Sequence, residues 1–391
     1  MKIVDIKVLV VNAEMRNWVF VKVETDQPGL YGWGEATIEW KTRAVVGAIE
    51  DLTPLLIGRD PRDITQALRI MTKRTYWRPG VIGSTAISGI EHALWDIFGK
   101  SLGLPVWRLL GGQVRDRVKI YTHLGLGDME AVYRTMEAGP LREHAARLVE
   151  QGYRAFKVVF IPYTHYTTSP QALRHVGSLM QALRDEVGDE VDIMIDFHGR
   201  CGSVSSAMQF IREIEPFDPL FVEEPIQPGD VESMLAIKEQ ARCPIATGER
   251  LVGLEEFEPL FRKRAINIAQ PDLNHCGGLT VARDIAASAA AVNIGVAPHN
   301  PNGPIAGAAA LHFAVATPNH VIQEVMDGSV PWYNDIMAKT PIARTGSYWS
   351  VPSEPGLGIE VNEAAAAKHP FQQEHFETMH ATLPDGTVVD W

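Results

Sequence analysis

Three short runs of apolar and β-branched residues open the chain: residues 3–10, then Val19-Phe20-Val21-Lys22-Val23-Glu24, then Tyr31-Gly32-Trp33-Gly34-Glu35. They predict a three-stranded meander. The stretch between the first two, Asn12 to Trp18, is rich in hydrogen-bonding groups and is expected to be exposed. The pattern then changes to helical spacing over about 42–57, 63–75 and 83–101. From Val118 onward it changes again. Short β-rich runs beginning near Val118, Ala155, Val191, Leu220, Ile245, Ile266, Ile294 and Val321 alternate with helical stretches. Strands separated by helices imply parallel pairing through right-handed crossovers. Eight such strands fit a barrel, which typically needs about 250 residues. A doubly wound sheet is the alternative, but no G-x-G-x-x-G follows an early strand.

The organisation expected is therefore an α/β protein in three parts. Residues 1–115 form an α+β capping domain, 116–340 a barrel, and 341–391 a proline-containing segment that packs back on the cap.

The strand ends carry the chemistry. Ile193-Met194-Ile195-Asp196-Phe197-His198 is a buried strand ending on a carboxylate, with a histidine two residues on and on the same side. The next strand ends Phe221-Val222-Glu223-Glu224, and the one after Ala246-Thr247-Gly248-Glu249. The intervals, 223 − 196 = 27 and 249 − 223 = 26, are each close to one βα unit. Carboxylates on consecutive barrel tips converge, and such a cluster needs a positive charge to neutralise it. All-oxygen ligation suits a hard cation such as Mg²⁺, which keeps room for water and substrate oxygens. The next strands end Gln270-Pro271-Asp272, Ala297-Pro298-His299 and Gln323-Glu324. Asp272 is placed to orient the His299 imidazole so that its other nitrogen acts as a base. Any one of these residues alone reads equally well as a helix cap or a surface charge. Their regular recurrence does not.

Composition narrows the picture. A net charge of −12 argues against a nucleic-acid binder, which carries a basic footprint. Cys201, Cys243 and Cys276 are too few and too scattered for a disulfide framework. No apolar run approaches a membrane span. The first residues lack a cleavable apolar region, so the expected location is cytoplasmic.

These motifs resemble the enolase superfamily, in its mandelate racemase-like branch, and within it the galactonate and related aldonate dehydratases. The resemblance rests on Asp196-Phe197-His198-Gly199-Arg200, Phe221-Val222-Glu223-Glu224-Pro225, Gly248-Glu249-Arg250-Leu251, Gln270-Pro271-Asp272 and Ala297-Pro298-His299. It is supported by Ala93-Leu94-Trp95-Asp96 and Pro105 to Gly112. It implies a (β/α)7β barrel with an α+β cap built from both chain ends. It also implies Asp196, Glu223 and Glu249 as Mg²⁺ ligands, His299 with Asp272 as the base, and Glu324 near the substrate carboxylate. Cap loops should close over the barrel mouth, which makes Arg16, Trp18, Tyr76 and Arg78 candidate substrate contacts. A homo-oligomer acting on a small acid sugar is expected.

The chain departs from the family pattern at two places. Where many racemases carry Lys-x-Lys, this chain has Lys157-Val158-Val159, which weakens a two-base racemase reading and leaves Lys157 as an aid to the substrate anion. The mouth loop 160–167, with His165 as a further candidate contact, also differs, as does Asn300-Pro301-Asn302. The expected reaction is Mg²⁺-dependent dehydration of an acid sugar to a 2-keto-3-deoxy acid, with His198 as general acid. A racemase, epimerase or cycloisomerase using the same enediolate is the alternative. A glycosidase would leave Asp196 and the Asp272–His299 pair without roles. A non-enzymatic barrel predicts a broken constellation.

Overall fold

A computed structural model describes residues 1–124, 137–374 and 381–390. The N-terminal meander is β1 (Ile3–Ala13), β2 (Arg16–Thr25) and β3 (Tyr31–Glu35), all antiparallel. Three helices follow: α1 (Thr42–Leu56), α2 (Ile64–Lys73) and α3 (Gly80–Leu102). The long α3 lies directly on β3, and the approach depends on missing side chains. A Cβ on Gly34 would meet the Gly89 carbonyl oxygen at 1.9 Å, and one on Gly32 the Ala93 carbonyl oxygen at 2.1 Å. Only glycine lets the two backbones come this close. A short helix, α4 (Val106–Leu109), leads into the barrel.

The barrel strands are β4 (Arg117–His123), β5 (Ala155–Val158), β6 (Asp192–Asp196), β7 (Phe221–Glu223), β8 (Ile245–Thr247), β9 (Ile268–Ala269), β10 (Gly295–Val296) and β11 (Gln323–Glu324). Each begins within about two residues of the expected position. Parallel pairing runs in chain order from β4 to β10. A Val296–His320 bridge joins β10 to the approach of β11, and β11 pairs with β4, which closes the ring. The helices that cover it are α5 (Ala138–Glu150), α6 (Pro170–Val187), α7 (Val204–Ile214), α8 (Val231–Gln240), α9 (Gly253–Lys263), α10 (Gly278–Ala290) and α11 (Pro304–Ala316). This is the (β/α)7β architecture.

The barrel interior is a separate apolar layer with one residue from each strand or its immediate flank: Tyr121, Ala155, Met194, Phe221, Ala246, Ile268, Ala297 and Ile322. Side chains alternate along a strand, so the residue two positions further on faces the same interior, one layer nearer the mouth. Those residues are His123, Lys157, Asp196, Glu223, Gly248, Gln270, His299 and Glu324. The functional layer therefore stands on an apolar floor, at the C-terminal face of the barrel.

Buried carboxylates of the cap hold it over that face. Glu35 accepts from Gly303 N at 2.7 Å and Ala306 N at 2.8 Å, at the start of α11. Glu91 accepts from Leu279 N at 2.9 Å and Thr280 N at 2.8 Å, at the start of α10. Both meet the unsatisfied amides and positive dipole end of a barrel helix. The C-terminal chain completes the cap: Lys22 pairs with Glu363, Lys100 with Glu360, and Thr42 hydrogen-bonds Glu374.

The segment from Asn12 to Trp18 was expected to be exposed, and here the expectation fails. Asn12, Arg16, Asn17 and Trp18 are buried. The C-terminal chain lies across the hairpin and satisfies its polar groups. Asn12 N donates to His369 O, and Asn17 exchanges hydrogen bonds with Gln372 at 2.8 and 3.1 Å.

Candidate active site

Asp196, Glu223 and Glu249 bring one carboxylate oxygen each within 4.8 Å of one another. Asp196 and Glu223 are register partners on adjacent strands, so their convergence follows from the ladder. Glu249 breaks the alternation. Gly248 precedes it with φ +146°, and a Cβ there would strike the Phe257 ring at 2.7 Å and Gln270 N at 2.9 Å. The turn that swings Glu249 inward therefore requires glycine.

Beside the three carboxylates lies a single lysine. Lys157 Nζ is 3.0 Å from Asp196 Oδ2, 3.0 Å from both oxygens of Glu223, and 2.9 Å from Glu324 Oε1. Burial alone would lower its pKa, but Asp196, Glu223 and Glu324 outweigh burial and hold it well above the usual lysine value. One ammonium does not balance four carboxylates. Burial, with the neighbouring Asp196, pushes Glu223 well up, and burial with Glu224 does the same for Glu249. Asp196 is held well below the usual range by His198 and Lys157 in spite of its burial. Its Oδ2 lies 3.0 Å from Lys157 Nζ and 3.2 Å from His198 Nε2. A hard divalent cation fits this all-oxygen donor set, because it would supply the missing positive charge.

Two histidines flank the cluster. His299 Nδ1 is 2.7 Å from Asp272 Oδ2, and its Nε2 lies 3.2 Å from Glu249 Oε2. Asp272 also accepts from Asn302 Nδ2 at 3.0 Å and Asn274 N at 2.6 Å. His275, His299 and these donors keep Asp272 ionised against its burial. Nδ1 of His299 therefore carries the proton, and Nε2 is the atom free to exchange one. Burial lowers the His299 pKa, but Glu324 and Asp272 overcome it and raise it to about 9. His198 sits with Nε2 3.2 Å from Asp196 Oδ2, and burial holds its pKa below the ordinary value. β6 and β10 are four strands apart in an eight-strand ring, so the two imidazoles face each other across it.

These groups open into a cleft of about 390 Å³ between barrel and cap, in the size range of small-molecule sites. Of the expected contacts, Arg16, Lys157, Asp196, His198, Glu249 and His299 line it. Glu223, Asp272 and Glu324 are fully buried beside it. Glu324 bonds His123 Nε2 at 2.6 Å and Asn300 N at 2.7 Å, so it positions its neighbours from below.

Four expected contacts lie elsewhere. Trp18 is core, edge-on to Tyr333 at 5.6 Å. Its strand runs under the C-terminal chain, which keeps the indole away from the cleft. Tyr76 is 89% exposed and Arg78 is exposed, because the turn between α2 and α3 points outward; Val81 is the nearby residue that reaches the cleft. His165 is exposed and packs on Tyr166 at 4.1 Å.

Several lining residues escaped the sequence reading: Glu39, Trp40, His123, Arg250 and His275. His123 was legible, since it ends the first barrel strand as Asp196 ends the third. Arg250 holds the buried Glu224 at 2.5 Å, next to a ligand candidate. His275 follows Asp272 by three residues. Thr85 gives its hydroxyl proton to Val81 O at 2.8 Å and so accepts from His275 Nδ1 at 2.9 Å, which fixes that tautomer. Glu39 and Trp40 lie in a cap loop with no distinguishing pattern.

Known proteins share this arrangement. Residues 3–111 match the family model described as Mandelate racemase / muconate lactonizing enzyme, N-terminal domain, and residues 140–365 match Enolase C-terminal domain-like. A D-galactonate dehydratase of Pectobacterium atrosepticum is 35% identical over 379 residues, 96% of either chain. One of Variovorax paradoxus is 36% identical over 382 residues, again 96% of each. The crystal structure of an enolase from Pantoea ananatis with bound D-gluconate and Mg superposes with a TM-score of 0.87 at 31% identity, covering 100% of this chain and 99% of that one. The match in both domains, with 35% identity over nearly the whole chain, means that the chain belongs to the mandelate racemase/muconate lactonizing enzyme family of the enolase superfamily.

Proposed function

We propose that Asp196, Glu223 and Glu249 hold Mg²⁺, that His299 removes the C2 proton of an aldonate, and that His198 protonates the departing β-hydroxyl. The enzyme is a carbon–oxygen lyase, an acid-sugar dehydratase dependent on Mg²⁺, similar to the D-galactonate dehydratases. The observation that carries the residue assignment is the pair of imidazoles on opposite sides of one carboxylate cluster, each 3.2 Å from a different member. When bound, the cation supplies positive charge that stabilises the developing enediolate and, next to Glu249, reduces the proton affinity of His299.

The chain's own groups do the rest. Asp272 holds the His299 ring so that Nε2 points at the cluster. Asp196, Glu223 and Glu324 hold the Lys157 pKa well above the usual lysine value against burial, which suits it to tie the three carboxylates together rather than to act as a base. Glu324 and Asp272 raise the His299 pKa to about 9 against burial, whereas burial lowers that of His198. His299 Nε2, beside Glu249, is the acceptor of the C2 proton, and His198 Nε2, beside Asp196, is the donor to the departing hydroxyl. The cap covers the cleft and limits water. The enol product then tautomerises to the 2-keto-3-deoxy acid.

Among the described residues, no helix is long and apolar enough to cross a membrane. A cytoplasmic homo-oligomer is part of the proposal, and the exposed Tyr76 and Trp77 offer apolar surface for subunit contact. A screen of acid sugars with Mg²⁺, read as 2-keto-3-deoxy acid, tests the function. An epimerised product without dehydration would move the chain to the racemase side.

A further inference from the structure

The cleft holds charged groups at its cap end that the elimination does not use. Arg16 and Glu39 line the same cleft as Asp196, Glu249 and His299, yet both belong to the cap. We propose that this pair receives the sugar tail of the substrate and selects an uncharged, polyhydroxylated terminus over a second carboxylate, so that the enzyme takes aldonates and discriminates against aldarates. The proposal rests on the dehydratase reading above and specifies its substrate class.

The argument is one of local charge. Arg16 is 5% exposed, and a guanidinium so buried would ordinarily attract a carboxylate from the ligand. Here that position is taken. Nη1 is 2.5 Å from Glu39 Oε1 and also donates to the Pro301 carbonyl oxygen. Glu39 stays ionised: burial opposes it, but Arg16, then His275 and His299, bring its pKa below the usual glutamate value. His275, another group able to carry positive charge at this end, already faces Asp272 at 3.7 Å. The cap end is therefore electrically balanced before any ligand enters. A second carboxylate would have to displace Glu39 or lie beside it, and like-charge juxtaposition in a buried site is unfavourable.

A hydroxyl group meets no such conflict. It can donate to Glu39 and accept from Arg16, whose Nη2, among the described residues, meets the Met15 sulfur at 3.9 Å. The rest of the cap wall is Met15, Ile38, Trp40 and Val81, whose apolar surfaces suit the C–H edges of a carbon chain. A pair that merely latched the cap to the barrel through Pro301 would alter turnover of every substrate in the same proportion. A selective pair would change the ratio between substrate classes.

The test compares wild type and Glu39→Gln, each with Mg²⁺, on D-galactonate and D-gluconate against galactarate and D-glucarate. Wild type should favour the monoacids, and Glu39→Gln should raise the diacid-to-monoacid ratio of kcat/KM about tenfold or more, the scale of one buried like-charge contact. A wild-type preference for diacids, or an unchanged ratio in Glu39→Gln, overturns the proposal. Calorimetry on Mg²⁺-loaded wild type, using L-threonate and its diacid counterpart L-tartrate, decides the matter if the variant does not fold. It does so equally if no sugar acid is turned over, the result that would count against dehydration itself. Tighter binding of the single-carboxylate probe supports selection; equal or weaker binding refutes it.

Discussion

At the scale of single residues, the site is a problem in charge. Three buried carboxylates, Asp196, Glu223 and Glu324, share one lysine beside the half-buried Glu249, and burial with neighbouring negative charge pushes the pKa values of Glu223 and Glu249 up. Removing one ligand charge should be felt directly. Asp196→Asn should weaken Mg²⁺ binding by at least about tenfold and abolish turnover, since a ligand oxygen loses its charge. Calorimetric titration checks this, and unchanged affinity would remove Asp196 from the ligand set. Lys157→Met tests the converse role. It leaves three carboxylates without their shared ammonium, and breaking a buried ion pair costs about 3–5 kcal/mol. The cation-free variant should melt earlier than wild type and regain much of the difference when Mg²⁺ is added. A variant as stable as wild type without the cation would show that Lys157 does not balance the cluster.

At the scale of elements, the recurring device is a buried cap carboxylate at the N-terminus of a barrel helix. Glu35 serves α11 and Glu91 serves α10. Burial pushes Glu35 from 4.5 up to about 7. A pKa raised in the folded state means that the native protein holds this proton more tightly than the unfolded chain. The associated stability is fully present below pH 4.5 and is lost as pH rises through about 7. Relative to Glu35→Gln, wild type should therefore lose on the order of 3 kcal/mol across that window. Urea denaturation of both proteins at several pH values measures it, and a difference independent of pH would contradict the burial account. The same scale explains what was legible in the sequence. Barrel strands carry an apolar residue and then a polar one two positions on, as in Met194 and Asp196, Phe221 and Glu223, or Ile322 and Glu324. That local pattern revealed most of the catalytic layer, and applied consistently it would have revealed His123. Glu249 was also found, although Gly248 takes it off the alternation.

At the scale of the whole molecule, the parts that resisted reading are those assembled by long-range contact. Trp18 and Arg16 lie two residues apart on β2, yet one is core and the other lines the cleft. The difference arises because residues 369–372 lie across the hairpin while Pro301 meets Arg16 from the barrel. Glu39 enters the site only because Gly34 and Gly89 let β3 and α3 close together and because Glu35 docks on α11. Tyr76 and Arg78 were expected at the mouth because the cap loops of the resembled family close there, and here both are exposed and outside the lining of the cleft. The barrel machinery is thus written in a local period, whereas substrate selection depends on how cap, barrel and C-terminal chain meet.

The account turns on two histidines with separate duties, and isotope exchange in D₂O separates them. With Mg²⁺ and an aldonate substrate, His299→Asn should lose both exchange of the C2 proton and formation of the 2-keto-3-deoxy acid. His198→Asn should retain exchange while losing dehydration by about 10²–10⁴-fold, the usual contribution of a general acid. Full dehydration by His198→Asn, or persistent exchange in His299→Asn, would contradict the assignment.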